Sequence, residues 1–110
     1  MKKARTFMPT TKAAVALLGA QVALARKERR WTAADLAERV GVTAHTIGRL
    51  ERGEPTVAIG VVLEAAVVTG VPLFAAPESD LPGLAAAARQ RLAVLPARVS
   101  KADVVIDDDF

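Results

Sequence analysis

Hydrophobic residues recur every three or four positions along most of the chain, which is the spacing of one face of an α-helix. In the first such stretch Val15, Leu18, Val22 and Ala25 fall on a common face. The pattern predicts helices over about residues 12–29, 33–40, 44–52, 57–69 and 79–95. We therefore expect an all-α fold.

Capping residues mark the ends of these helices. Threonine is a favoured N-cap and glycine a favoured residue just past a helix C-terminus. The expected N-caps are Thr10 or Thr11, Thr32 and Thr43, and the expected stops are Gly41, Gly53, Gly70 and Pro96. Leu36, Ala37, Val40, Ile47 and Leu50 are expected to point inward.

The composition narrows the chemistry. With 4% aromatic residues, no cysteine and one histidine, the core must be built from Ala, Val and Leu, which suits helices better than a β-sandwich. Disulfides, cysteine-ligated zinc and thiol catalysis are excluded. The sequence also lacks a phosphate-cradling glycine loop, so we expect no enzyme activity and no cofactor. The absence of cysteine fits a cytoplasmic protein.

The charge is divided along the chain. Residues 1–54 hold eleven basic and five acidic residues, a net charge of +6, and residues 55–110 hold four basic and seven acidic residues, a net charge of −3. A basic half predicts a surface that binds a polyanion, and the acidic half predicts a different partner surface. A solvated surface that only keeps the protein soluble remains an alternative.

Two apolar stretches resemble targeting or membrane segments. Residues 1–25 carry a basic start and an apolar run, but Pro9 to Lys12 interrupt it and Gln21 lies inside it, so we do not expect a signal peptide. Residues 57–76 contain Glu64, Gly60 and Gly70, which favours a buried helix over a transmembrane one.

The second and third predicted helices are short and are separated by Gly41-Val42, the outline of a helix-turn-helix. With this motif in place, the sequence resembles the lambda-repressor/Cro-like, or Xre-type, helix-turn-helix family. The resemblance covers about residues 15–74 and is carried by Thr32, Leu36 to Thr43, Thr46-Ile47, Arg49 to Gly53, Leu63 and Gly70 to Phe74.

The resemblance implies a five-helix domain that binds duplex DNA as a homodimer, with residues 44–52 as the recognition helix. Base contacts are expected from Ala44, His45 and Arg49, and phosphate contacts from Thr43, Thr46 and Arg52. The resemblance also pairs Arg26 with Glu51 in a structural role. Trp31 stands at an apolar position and is expected to cover the core.

The sequence departs from the family pattern at Ala33, Gly48 and Glu54. Ala33 replaces a glutamine that contacts DNA in relatives, and Glu54 places an acid where a loop often faces phosphate. Gly48 either permits close approach to the DNA backbone or marks weak sequence reading. Two interpretations stand for the basic cluster Arg26, Lys27, Arg29 and Arg30: phosphate binding, or a solvated helix end that favours cations.

Residues beyond the helix-turn-helix predict a second function. The expected organisation is a basic arm (1–11), a DNA-binding domain (12–76), a helix for dimer or partner contact (77–96) and an extended acidic tail (97–110). The layout, with Leu95 to Val99 and the terminal Asp107, Asp108, Asp109 and Phe110, resembles HipB-like antitoxins paired with HipA-like serine/threonine kinase toxins. That resemblance implies a kinase partner that contacts the extended tail or an acidic surface. The apolar run Val104 to Ile106 could pair as a short strand.

The sequence thus predicts a dimeric repressor that acts as an antitoxin on its own operon, in the cytoplasm and on the nucleoid when bound to DNA. An Xre-type regulator without a toxin is one alternative. A protein-binding adaptor that has lost DNA reading is another, which the departures at Ala33, Gly48 and Glu54 permit.

Overall fold

A computed structural model describes residues 6–99 of the protein. Within them lie the helices α1 (Pro9–Glu28), α2 (Ala33–Val40), α3 (Ala44–Glu51), α4 (Ile59–Thr69) and α5 (Leu81–Ala93). The expected all-α architecture with five helices is confirmed for this part of the chain, and it is consistent with a lambda-repressor-like fold. The predicted strand at residues 104–106 lies outside the described residues.

The first helix begins earlier than predicted. Met8 is its N-cap, Pro9 is at the first helical position, and neither Thr10 nor Thr11 caps it. Proline is well suited to that position because its fixed φ is already helical and its missing N–H would have no partner within the helix. The capping prediction at Thr10 or Thr11 was therefore wrong, and α1 extends into the segment expected to be an arm.

The second helix has the predicted bounds, and both of its caps are visible. The Asp35 amide donates to Thr32 Oγ1 at 3.0 Å, and the Thr32 amide donates to Asp35 Oδ2 at 2.8 Å, which completes a capping box. The bond from the Thr32 backbone amide is the main reason that the pKa of Asp35 lies below its ordinary value. At the other end Gly41 adopts the left-handed conformation with φ of 88°.

The fourth and fifth helices are shorter than predicted. Val57 is buried but lies in a turn before α4, where its amide approaches the Glu54 carbonyl oxygen at 3.5 Å. The fifth helix ends at Ala93, before Pro96. Because a residue that precedes proline disfavours helical backbone angles, Leu95 leaves the helix and the last turn tightens, with the Leu95 amide bonded to the Leu92 carbonyl oxygen at 3.2 Å.

The core lies among α1 to α4. Its fully buried members include Val22, Leu36, Ile47 and Ala65. Ala37 and Leu50 are also buried, as predicted, whereas Val40 is half-buried at the edge of this cluster. The one polar residue buried with them in the described part of the chain is Thr69, whose hydroxyl donates to the Ala65 carbonyl oxygen at 2.7 Å and so is satisfied within its own helix.

The chain divides into two compact units with the boundary between Ala76 and Pro77. The first unit holds α1 to α4. The second holds a 3₁₀ turn (Glu78–Asp80) and α5, on which Leu84 and Leu92 are both more than half exposed, as is Leu95 just after the helix. Among residues 6–99, no helix is both long enough and apolar enough to cross a membrane.

Candidate nucleic-acid interface

The turn between α2 and α3 fixes how α3 is presented. Gly41 is the C-cap of α2, and the Val42 amide donates to the Ala37 carbonyl oxygen at 3.0 Å. Thr43, two residues after Gly41, is the N-cap of α3. On α3, Ile47 and Leu50 are buried in the core. Residues on the opposite side of an eight-residue helix anchored in this way must face outward.

All seven residues predicted to contact DNA lie on α3 or at its two caps. They are Thr43, Ala44, His45, Thr46, Gly48, Arg49 and Arg52. Ala44, His45 and Arg52 are exposed, whereas Thr46, Gly48 and Arg49 are half-buried. His45 and Arg49 are one helical turn apart and so share a face, as do Gly48 and Arg52.

Two threonine hydroxyls meet at the start of α3. The Thr46 amide donates to Thr43 Oγ1 at 3.2 Å, and the two Oγ1 atoms are 3.1 Å apart. One hydroxyl hydrogen serves the bond between them, so the other can donate to an acceptor outside the protein. The pair caps the helix and still has a hydrogen-bond donor for an anion.

Gly48 lies in the middle of α3. A Cβ atom placed there would approach the flexible Arg52 side chain, at 3.2 Å from Nη1, and would meet no backbone. The fold around Gly48 therefore does not require glycine. Glycine at this position also costs about 1 kcal/mol of helix propensity relative to alanine.

The two arginines of α3 converge on one carboxylate. Arg49 Nε donates to Glu54 Oε1 at 2.9 Å, while Arg52 donates to Glu54 Oε2 from Nε at 3.3 Å and from Nη2 at 3.1 Å. Arg49 Nη2 also donates to Thr56 Oγ1 at 2.8 Å. These hydrogen bonds to the arginines, of which the one from Arg49 has the largest effect, lower the pKa of Glu54 below its ordinary value.

This cluster was not predicted from the sequence. Glu54 was expected to be an acid in a loop that faces phosphate, and no role was expected for Thr56. The available signal was the position of Glu54 just after the glycine that ends α3, two residues from Arg52 and five from Arg49.

Arg26 and Glu51 form a two-armed ion pair between α1 and α3. Arg26 Nε donates to Glu51 Oε2 at 2.7 Å and Nη2 donates to Oε1 at 2.9 Å, with both side chains nearly buried. The remaining arm, Nη1, donates to the Trp31 carbonyl oxygen at 2.8 Å. The Glu51 hydrogen bond raises the pKa of Arg26. This pair sets the end of α3 against α1.

Trp31 packs against the core and is flanked by two arginines, Arg29 of the basic cluster and Arg39 of α2. The Arg39 guanidinium lies 4.0 Å from the centroid of the Trp31 ring and that of Arg29 lies 5.6 Å away. Both distances are within the range of cation–π attraction. Lys27, Arg29 and Arg30 are exposed and so do not share the structural role of the nearly buried Arg26.

The residues predicted to bind a partner, Asp107, Asp108, Asp109 and Phe110, lie outside the described residues. Within residues 6–99, no group of three or more His, Cys, Asp or Glu side chains is arranged to hold a metal ion.

Comparison with known families agrees with this geometry. A family model described as a helix-turn-helix domain matches residues 17–76, more than half of the chain. The protein belongs to this helix-turn-helix family, which indicates a DNA-binding regulator and is consistent with the Xre-type resemblance. No curated protein and no solved structure matches the chain.

Proposed function

We propose that the protein is a sequence-specific transcriptional repressor that inserts α3 into the major groove of duplex DNA. The observation that carries the proposal is the division of α3 into two faces. Ile47 and Leu50 fix one face in the core, while His45 and Arg49 lie on the other. A helix anchored on one side and polar on the other has the shape and the donors that groove reading needs.

Each α3 residue has a role that follows from its chemistry. Arg49 donates two parallel hydrogen bonds to the O6 and N7 atoms of a guanine. His45 donates to a guanine or a phosphate, and the Ala44 methyl group contacts the methyl group of a thymine. Around them Thr43, Thr46 and Arg52 bind phosphate oxygens, and Gly48 allows the DNA backbone to approach α3 closely.

Selection from a randomised duplex DNA library, followed by titration of the selected duplex at several salt concentrations, tests this proposal. We expect Arg49→Ala to weaken binding by about 1–3 kcal/mol and to relax the preference at one base pair. Arg52→Ala should weaken binding to all sequences and reduce the salt slope by about 1. Arg89→Ala, on α5, removes the same charge outside the predicted interface and is the control.

The proposal fails if the wild-type protein selects no sequence from the library, or if Arg49→Ala binds the selected duplex as tightly as the wild type. The first result would favour the adaptor interpretation, in which the fold is kept and DNA reading is lost.

We further propose that the repressor is a HipB-like antitoxin that represses its own operon and neutralises a HipA-like kinase. The support is the second unit, which begins at Pro77 and carries α5 with exposed leucines, followed in the sequence by the acidic Asp107, Asp108, Asp109 and Phe110. The apolar face of α5 suits a dimer contact, and the acidic tail suits a basic surface on the kinase.

Co-purification from the native operon, with identification of the bound protein, tests the antitoxin role. We expect a kinase to co-purify, and we expect removal of residues 103–110 to weaken that association and leave DNA binding unchanged. If DNA binding is present and no kinase is recovered, the protein is an Xre-type regulator without a toxin. Unchanged recovery of the kinase after truncation would exclude the tail as the contact.

A further inference from the structure

Arg49 uses only one edge of its guanidinium group for its contacts with the loop after α3. Nε and Nη2 lie on one edge of the plane, and that edge faces Glu54 Oε1 at 2.9 Å and Thr56 Oγ1 at 2.8 Å. A guanidinium has five N–H donors in a rigid planar fork. The end formed by Nη1 and the second Nη2 hydrogen donates to no acceptor within residues 6–99.

That remaining end is the part of arginine that makes two parallel hydrogen bonds to a guanine. An arginine on a helix surface normally has many rotamers and loses their entropy when it binds a base. Here two hydrogen bonds already hold the side chain, and 29% of its surface is exposed. Part of the ordering cost is therefore met before any ligand arrives.

The charge of Glu54 adds a second effect. Its carboxylate accepts from Arg49 and Arg52 together, so it partly neutralises the two cations on the outer face of α3. It also places a negative charge beside them that repels phosphate oxygens. Binding that depends only on phosphates is weakened by both effects, whereas hydrogen bonds from the open end of Arg49 to a base are retained.

We propose that Glu54 and Thr56 are positioning residues for DNA reading: they hold Arg49 by one edge, direct its other end to a base, and through the charge of Glu54 suppress non-specific binding. This inference rests on the proposed DNA-binding function. It assigns specificity to a loop carboxylate that a simple electrostatic view would treat as an obstacle to DNA.

Four variants separate position from charge. Glu54→Gln removes the charge of the carboxylate, Glu54→Asp keeps the charge and shortens the reach, and Thr56→Val removes the hydroxyl with little change in shape. Glu64→Gln, at an exposed site on α4, removes one negative charge elsewhere and is the matched control. Urea unfolding of each variant shows that it is folded under the binding conditions.

The measurements are the affinity for the duplex selected by the wild type, the affinity for a scrambled duplex of the same composition, and the base preferences from the randomised library. We expect Glu54→Gln to bind the scrambled duplex about fivefold more tightly, because the negative charge of Glu54 no longer repels the DNA phosphates. We also expect a lower ratio of specific to non-specific affinity. Thr56→Val and Glu54→Asp should relax the preference at the base pair read by Arg49 without tightening binding to the scrambled duplex.

Three outcomes would contradict the positioning role of Glu54 and Thr56. If Glu54→Gln tightens binding to the selected duplex as much as to the scrambled one, the carboxylate competes with DNA and does not position Arg49. If Glu64→Gln has the same effect as Glu54→Gln, only net charge matters. Either result, or unchanged base preferences in Thr56→Val and Glu54→Asp, overturns the inference and leaves the proposed function intact. Failure of the wild type to select any sequence overturns both.

Discussion

Three carboxylates in the DNA-binding unit have similar chemistry and different tasks because each meets different donors. Asp35 accepts from the Thr32 amide and fixes the start of α2. Glu51 accepts two hydrogen bonds from Arg26 and fixes α3 against α1. Glu54 accepts from Arg49 and Arg52 on the outer face. At the scale of residues, the partners of a carboxylate, and not its charge alone, decide what it does.

Glu51→Gln should lower the free energy of unfolding by about 2 kcal/mol. The substitution keeps the size of the side chain but leaves the nearly buried Arg26 guanidinium without its counter-charge and with one hydrogen bond fewer. Urea unfolding followed by circular dichroism measures the change. Glu64→Gln, which is exposed, should shift it by less than about 0.5 kcal/mol, and an equal loss in both variants would contradict the prediction.

The capping box predicts a pH dependence of stability. The pKa of Asp35 is lowered in the folded state, so its contribution is fully present above the ordinary value of 3.8 and is lost as the pH falls through the lower folded value. Asp35→Asn should therefore lower stability at neutral pH and converge with the wild type in strong acid. Denaturant unfolding at a series of pH values tests this. Parallel curves at all pH values would exclude the linkage, and Glu38→Gln, exposed on the same helix, is the control.

At the scale of elements, α1 and the end of α3 are brought together by two glycines that play different parts. A Cβ atom on Gly19 would clash with the Leu50 carbonyl oxygen, which belongs to the backbone of α3 and cannot turn aside. Gly53 has φ of 77°, and a Cβ atom there would lie 2.7 Å from Ala16 Cα. The absence of side chains at both positions lets the α3 backbone lie directly on α1, where Arg26 reaches Glu51.

Gly19→Ala should destabilise the protein by about 2 kcal/mol although alanine is the better helix former. The gain in helix propensity of about 1 kcal/mol is outweighed because α1 and α3 must separate to admit the methyl group. Thermal unfolding measures the effect. Gly60→Ala on α4, where the added Cβ would meet nothing within 4 Å beyond the neighbouring backbone of its own helix, should leave stability unchanged or raise it. A more stable Gly19→Ala variant would disprove the close contact.

At the scale of the whole molecule, the division of charge accompanies a division of structure. The basic first half belongs to the unit that contains α1 to α4, and the acidic residues of the second half continue past the boundary at Pro77. The helix α5 differs from the others because none of its residues is buried, and its Leu84 and Leu92 are exposed. This exposed apolar face is the surface proposed above for contact between two copies of the chain.

If two copies of the chain associate through α5 as proposed, the double variant Leu84→Glu, Leu92→Glu should weaken that association by at least about tenfold. Both leucines lie on the apolar face of α5, and burying the added charges in a dimer contact is costly. Sedimentation equilibrium measures the dissociation constant. Gln90→Glu adds a charge to another face of the same helix and should leave self-association unchanged. If the double variant associates as the wild type does, the dimer contact lies elsewhere.

The local features were predictable from the sequence because their causes are local. Thr32, Gly41 and Thr43 are caps whose geometry depends on neighbours within four residues, and the bounds of α2 followed from Thr32 and Gly41. The start of α1 was predicted wrongly because proline at the first helical position outweighed the nearby threonines. The cluster of Arg49, Glu54 and Thr56 was missed because its partners meet only when the chain turns after Gly53.

The sequence by itself determined the helices, the helix-turn-helix and the set of α3 residues that face outward, because periodicity and capping are properties of short stretches of chain. The tertiary structure decided that Glu54 meets Arg49 and Arg52, how closely α3 lies on α1, and which edge of Arg49 stays open. Those features depend on atoms that are distant in the sequence or on the path of a loop, and hydrogen bonds form only where folding brings such atoms within about 3 Å of each other.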